Sequence, residues 1–150
     1  KNKDFDSFLL KIRSRFGVWV TPMNHIVRDL VKCRKEGVLT MSGFIADQTP
    51  PPDDNAYWTT FLNQDTAFYR GAEKMAVKYN SPVIYIKIVK VKRGYCELKY
   101  SLISEHPTEE ESNAITARYA AMLEATIREQ PEYWLWSHRR WKHKRPLKDD

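Results

Sequence analysis

The sequence predicts an α/β fold, a mixed sheet with helices packed on it. Three observations lead there. Apolar residues recur at helical spacing in TPMNHIVRDLVKCRKEG and again in the long segment before Pro131. The β-branched run VIYIKIVKV and the segment YCELKYSLI face each other across Arg93-Gly94. The elements follow in the order helix, helix, strand, helix, strand, strand, helix, which builds layers around a shared core. At 150 residues the chain has the size of a single domain.

Each element has a local reason. DFDSFLLKIRSRFG reads as a short helix that Asp4, Asp6 or Ser7 can cap and Gly17 can stop. In the next helix Met23, Ile26, Val27, Leu30 and Val31 share one face, and Gly37 follows the basic last turn as a C-terminal stop. VLTMSGFIA reads as a buried strand. DQTPPPDDNAYW then breaks regular structure, because Pro50, Pro51 and Pro52 lack amide donors. A helix is expected from about Thr66 to Asn80.

Pro82 separates that helix from the run VIYIKIVKV, in which Ile84, Ile86 and Ile88 share one face while Val89 and Val91 continue on the other. Either both faces are buried or a bulge lies near Ile88. On the returning strand Cys96, Leu98, Tyr100 and Leu102 point one way, and Glu97, Lys99 and Ser101 the other. The last helix carries the apolar stripe Ile115, Tyr119, Met122, Leu123 and Ile127, with Thr108 and Glu111 read as its capping box.

Composition narrows the partners. The formal charge is +6 and the pI about 9.3, which favours an anionic partner: nucleic acid, an acidic protein or phosphate-bearing lipid. Mean hydropathy is −0.62, and the sequence has neither an apolar run long enough to span a bilayer nor a visible signal peptide. Cys33 and Cys96 can form a disulfide or stay as two buried thiols in a reducing compartment. No phosphate-binding glycine loop and no nucleophile elbow is present.

Several side chains are candidates for chemistry. Asp47 and Gln48 follow a predicted strand and precede the proline loop. There a carboxylate and an amide can orient a hydroxyl or a basic partner, or simply cap local backbone. Arg13 and Arg15 end the first helix and can bind a phosphate or carboxylate, or complement the helix dipole. His106 and Glu111 have the spacing of a base with its orienting acid, against the plainer reading of a solvated loop. His25 and Asp29 lie one helical turn apart and can pair on the surface. The tail PEYWLWSHRRWKHKRP mixes rings with cations. It can stack bases, sit at a lipid surface, or close a core with Tyr133, Trp134 and Trp136 beneath a solvated basic cluster.

The tail also carries a resemblance. Pro131, Glu132, Trp136, His138, Arg139, Arg140, Trp141 and Lys142 resemble the closing signature of the bacterial lipid A biosynthesis lauroyl/myristoyl acyltransferases, in the lysophospholipid acyltransferase superfamily. RDLVKCRKEG with its following apolar run and ADQTP is similar to that family's basic helix, strand and Asp-Gln segment. FYRGAEKMAVKYNSPVIYI is similar to its helix, Pro-Val and strand segment. The resemblance runs over nearly the whole chain.

What it implies is acyl transfer from acyl carrier protein, or acyl-coenzyme A, to a hydroxyl of a phosphorylated glycolipid, at the cytoplasmic face of the bacterial inner membrane. It implies no metal and no bound cofactor, and it makes nucleic acid the alternative rather than the expected partner. It casts Asp47 in a supporting catalytic role and Arg13 or Arg15, Gln48, Arg139 and Arg140 in substrate binding. The family's general-base histidine, in an HX4D/E motif, has no match before Asp4. The chain is therefore expected to be the C-terminal part of a longer enzyme with a partial form of that fold, itself soluble and inactive alone.

Overall fold

The computed structural model describes residues 3–22, 25–51 and 56–145. The chain divides into two compact units, Lys1–Gly43 and Phe44–Asp150.

Among the described residues the first unit holds two helices. α1 (Lys3–Ser14) has Asp4 and Asp6 in its first turn and Lys11 and Arg13 in its last, so its charges oppose the helix dipole favourably. Gly17 follows with φ +79. α2 (Ile26–Lys35) ends as expected. Gly37 takes φ +69, the Val38 amide donates to the Cys33 carbonyl (2.9 Å), and the Gly37 amide donates to Arg34 (3.2 Å). These two bonds satisfy carbonyls that the last turn leaves open. Met23 lies outside the described residues. Asp29 sits beside Arg28 at 3.6 Å, the partner it takes in place of His25.

VLTMSGFIA, expected as a buried strand, is irregular and open to solvent. Leu39 is 99% exposed and Met41 82%. Among the described residues no strand pairs with it, and without a ladder partner a β-prone run gains nothing from the β conformation.

The second unit confirms the α/β class, with its strands in two separate antiparallel ribbons rather than one mixed sheet. The first ribbon is β1 (Tyr57–Phe61) with β2 (Gln64–Phe68). It occupies sequence that reads partly as loop and partly as the start of the next helix. Leu62 and Asn63 form its turn, both with positive φ (50 and 62), the geometry that matches strand twist. Leucine rarely accepts that conformation; here its amide is held by the Glu124 carboxylate at 3.1 Å. α3 (Gly71–Tyr79) therefore starts five residues later than Thr66. Asn80, at φ 46, ends it.

The second ribbon is β3 (Val83–Lys92) with β4 (Tyr95–Ser104). Its irregularities fall between Val83 and Ile84 and between Lys90 and Lys92, not at Ile88. Tyr85 and Ile103 face inward, while Ile84, Ile86, Ile88, Leu98, Tyr100 and Leu102 are exposed. The predicted alternation is present, but burial on both faces, the other of the two alternatives, is not.

α4 (Ala114–Glu129) is the spine. Ile115, Ala120, Leu123 and Ile127 are buried along it. Phe61, Phe68, Ala120, Leu123 and Ile127 form one cluster, and Tyr85, Ile103 and Ile115 form a second, with Tyr119 packed against both. The helix begins after Asn113, so Thr108 and Glu111 are not its capping box; Thr108 donates its hydroxyl to Asn80 Oδ1 at 3.0 Å instead. The N-terminal amides are served from α3. Buried Glu73 accepts from the Asn113 amide (2.6 Å), the Thr116 amide (3.1 Å) and the Thr116 hydroxyl. A carboxylate there meets both the open donors and the positive end of the helix dipole.

Candidate functional site

The Asp-Gln loop and the tail, far apart in sequence, meet in the second unit. α4 ends at Glu129, Pro131–Tyr133 makes a single 3-10 turn, and the chain then runs back over the β1–β2 ribbon. Two rings anchor this return. Trp134 and Trp141 pack against the cluster of Phe61 and Phe68, and Trp141 Nε1 donates to Thr66 Oγ1 at 2.8 Å. Tyr133 and Trp136, expected in the core lid, are 53% and 55% exposed. Trp134 is in the lid as expected and is joined by Trp141, while Tyr133 points outward toward Lys90.

On this platform the tail grips the loop through Thr49, a residue that sequence reasoning passed over. The Thr49 amide donates to His138 Nε2 at 2.9 Å, which assigns the imidazole hydrogen to Nδ1 when the ring is neutral. The Thr49 hydroxyl lies 2.7 Å from the Arg139 carbonyl and 2.8 Å from the Arg140 carbonyl. Pro50 is buried directly after it. Asp47, two residues before Thr49, is half-buried, and Gln48 is exposed.

The two tail arginines have opposite environments. Arg139 is exposed. Arg140 is only 2% exposed, against the expectation of a solvated basic cluster. Its guanidinium lies 4.6 Å from the Phe68 ring centre and 5.9 Å from that of Phe61, and its Nη2 donates to the Ala67 carbonyl at 2.7 Å. Nε and Nη1 are buried with no hydrogen-bond partner among the described residues.

Burial pulls the Arg140 ionisation down to about 10, and charges on Tyr119 and Asp47 oppose that fall. Burial pushes the Tyr119 phenol well above its ordinary value, with help from Asp47 and Tyr85 and opposition from Arg140. Asp47, Tyr119 and Arg140 thus form one electrostatic group.

The other candidates stand apart from this group or outside the unit. Arg13 and Arg15 belong to the first unit; both are exposed, and Arg15 lies 5.5 Å from the Phe16 ring centre. His106 and Glu111 are exposed on either side of the short turn Pro107–Glu109. Cys33 is buried, whereas Cys96 is exposed rather than buried, and both are free. Among the described residues no group of three or more His, Cys, Asp or Glu side chains could hold a metal, and no helix is long and apolar enough to cross a membrane.

The family model described as bacterial lipid A biosynthesis acyltransferase matches residues 1–143. No curated protein and no solved structure matches the chain.

Proposed function

The chain belongs to the bacterial lipid A biosynthesis acyltransferases, and we propose that it is the C-terminal portion of an enzyme that transfers a fatty acyl group from acyl carrier protein, or from coenzyme A, to a hydroxyl of a phosphorylated lipid A precursor. One observation carries this reading. The match over residues 1–143 takes in both the Asp47-Gln48 loop and the tail that is hydrogen-bonded to it.

The chemistry sets what the residues must do. An acceptor oxygen attacks a thioester carbon, its proton leaves to a base, and a thiol departs. Asp47 suits the orienting of the acceptor hydroxyl, or of the imidazole that deprotonates it. The base itself is, in this proposal, the histidine of an HX4D/E element outside these residues. Gln48 offers an exposed amide beside Asp47. Arg139 and one of Arg13 and Arg15, all exposed, suit the acceptor's phosphates, since a planar guanidinium matches a phosphate fork. The formal charge of +6 favours approach of an acidic carrier protein and of an anionic lipid surface, the cytoplasmic face of the inner membrane.

The test is Asp47→Ala in the full-length protein. Acyl transfer should fall at least about tenfold, as for loss of a group that aligns the reactants, with the unfolding midpoint unchanged. An unchanged rate removes Asp47 from the site.

A further inference from the structure

Arg140 is a buried cation with two unspent nitrogens, and that needs a reason. Moving a charge out of water is costly unless a counter-charge and hydrogen bonds compensate it. One carbonyl and two ring faces do not supply a counter-charge. What they do supply is an anchor, which pins the tail at Arg140 to the β1–β2 ribbon. The loop carrying Asp47 is held to the backbone of Arg139 and Arg140 themselves, through Thr49, and to the side chain of His138.

We propose that Arg140 is a positioning residue for Asp47, and that Thr49 is the staple that lets it act. This rests on the reading of Asp47 as a site residue. The buried guanidinium pins the tail to the ribbon, and the three contacts of Thr49 fix the direction from which the Asp47 carboxylate works. Arg140 touches no substrate in this arrangement; of the two tail arginines, the exposed Arg139 is the one open to a phosphate. The tail then has two functions at once. Its rings close the core, and its backbone and buried cation set the geometry of a catalytic loop. A carboxylate fixed before the substrate arrives needs no reorganisation during the reaction.

The test uses the full-length protein and steady-state acyl transfer. Thr49→Val keeps the shape of the side chain and removes the hydroxyl. It should lower kcat about tenfold with KM for the acyl donor unchanged, the pattern expected when only transition-state alignment is lost. Thr49→Ser should restore kcat to within about twofold, since the lost element is the hydroxyl.

Added to Asp47→Asn, Thr49→Val should cost nothing further, because the two act as one unit. Arg140→Met should show the same non-additivity, and Thr49→Val carries the test if Arg140→Met does not fold. Wild-type kcat in Thr49→Val, or losses that multiply in the double variant while Asp47→Asn alone is slow, would overturn the positioning role. A wild-type rate in Asp47→Asn would instead remove Asp47 from the site, and this proposal with it.

Discussion

The two ribbons of the second unit invert what their sequences suggest. β3–β4 is long and rich in Ile, Val, Leu and Tyr, yet Ile84, Ile86, Ile88, Leu98, Tyr100 and Leu102 on one of its faces are exposed. β1–β2 is half as long and reads YWTTF and QDTAF, yet Phe61, Thr66 and Phe68 are among the most deeply buried side chains. The difference lies in what covers each ribbon. α4 lies against both, but among the described residues it is β1–β2 that the returning tail covers, with Trp141 on Thr66 and Arg140 on Phe68. A strand's apolarity says that it can be buried. Which strand becomes the heart of the unit depends on a segment that lies some seventy residues further along, as the Arg140 to Ala67 bond shows.

The comparison can be broken most sharply at Phe68. Phe68→Ala should destabilise the second unit by about 3–5 kcal/mol, the usual cost of emptying a packed aromatic site. Denaturant unfolding followed by tryptophan fluorescence measures it, and a loss below about 1 kcal/mol would place the core elsewhere.

Next in size is Glu73→Ala, which leaves the α4 amides of Asn113 and Thr116 without their acceptor. The expected cost is about 2 kcal/mol, in the range for hydrogen bonds to a charged group. Amide exchange should quicken first at residues 113–116.

Trp141→Phe keeps most of the packing and removes the bond to Thr66, so about 1 kcal/mol is expected from the same unfolding measurement. The smallest effect belongs to the open face of the long ribbon. Ile86→Thr should change stability by less than about 0.5 kcal/mol, because the side chain is β-branched still and exposed already. A loss as large as that of Phe68→Ala would mean that this face is covered in solution.

Tyr119 adds a pH test of the same interior. Its phenol ionises less readily in the folded chain than in the unfolded one, where its ordinary value is 10.0. Its contribution is therefore fully present below about pH 10 and is lost as pH rises beyond it. Tyr119→Phe should flatten that alkaline limb of the stability profile.

What could be read from the sequence follows the range of the forces involved. α1, α2, the β3–β4 ribbon and α4 rest on local periodicity, and each is present, although α4 starts at Ala114 rather than directly after Thr108. The stop at Gly37 was legible because only glycine takes that backbone conformation cheaply. The cap of α4 was not, because Glu73 reaches it from another helix while Thr108 and Glu111 imitate a cap in the right order.

The β1–β2 turn was missed because Leu62-Asn63 lacks the usual Gly, and the Glu124 carboxylate that holds it is distant in sequence. Within the candidate site, Asp47 and the tail arginines stood out by residue type and position. Thr49 did not, since a threonine before prolines looks like ordinary loop chemistry until its partners at residues 138–140 are known. Arg140 was legible as a cation but not as a buried one, because burial was decided by the fold of the ribbon beneath it.

The most direct test of the account is the product of the reaction. Full-length protein would be incubated with a phosphorylated lipid A precursor and either acyl carrier protein or coenzyme A bearing a fatty acyl group, and the glycolipid weighed by mass spectrometry. The account predicts a gain of one acyl chain with at least one donor, lost in Asp47→Ala. A folded protein that leaves the glycolipid unchanged with both donors would contradict it.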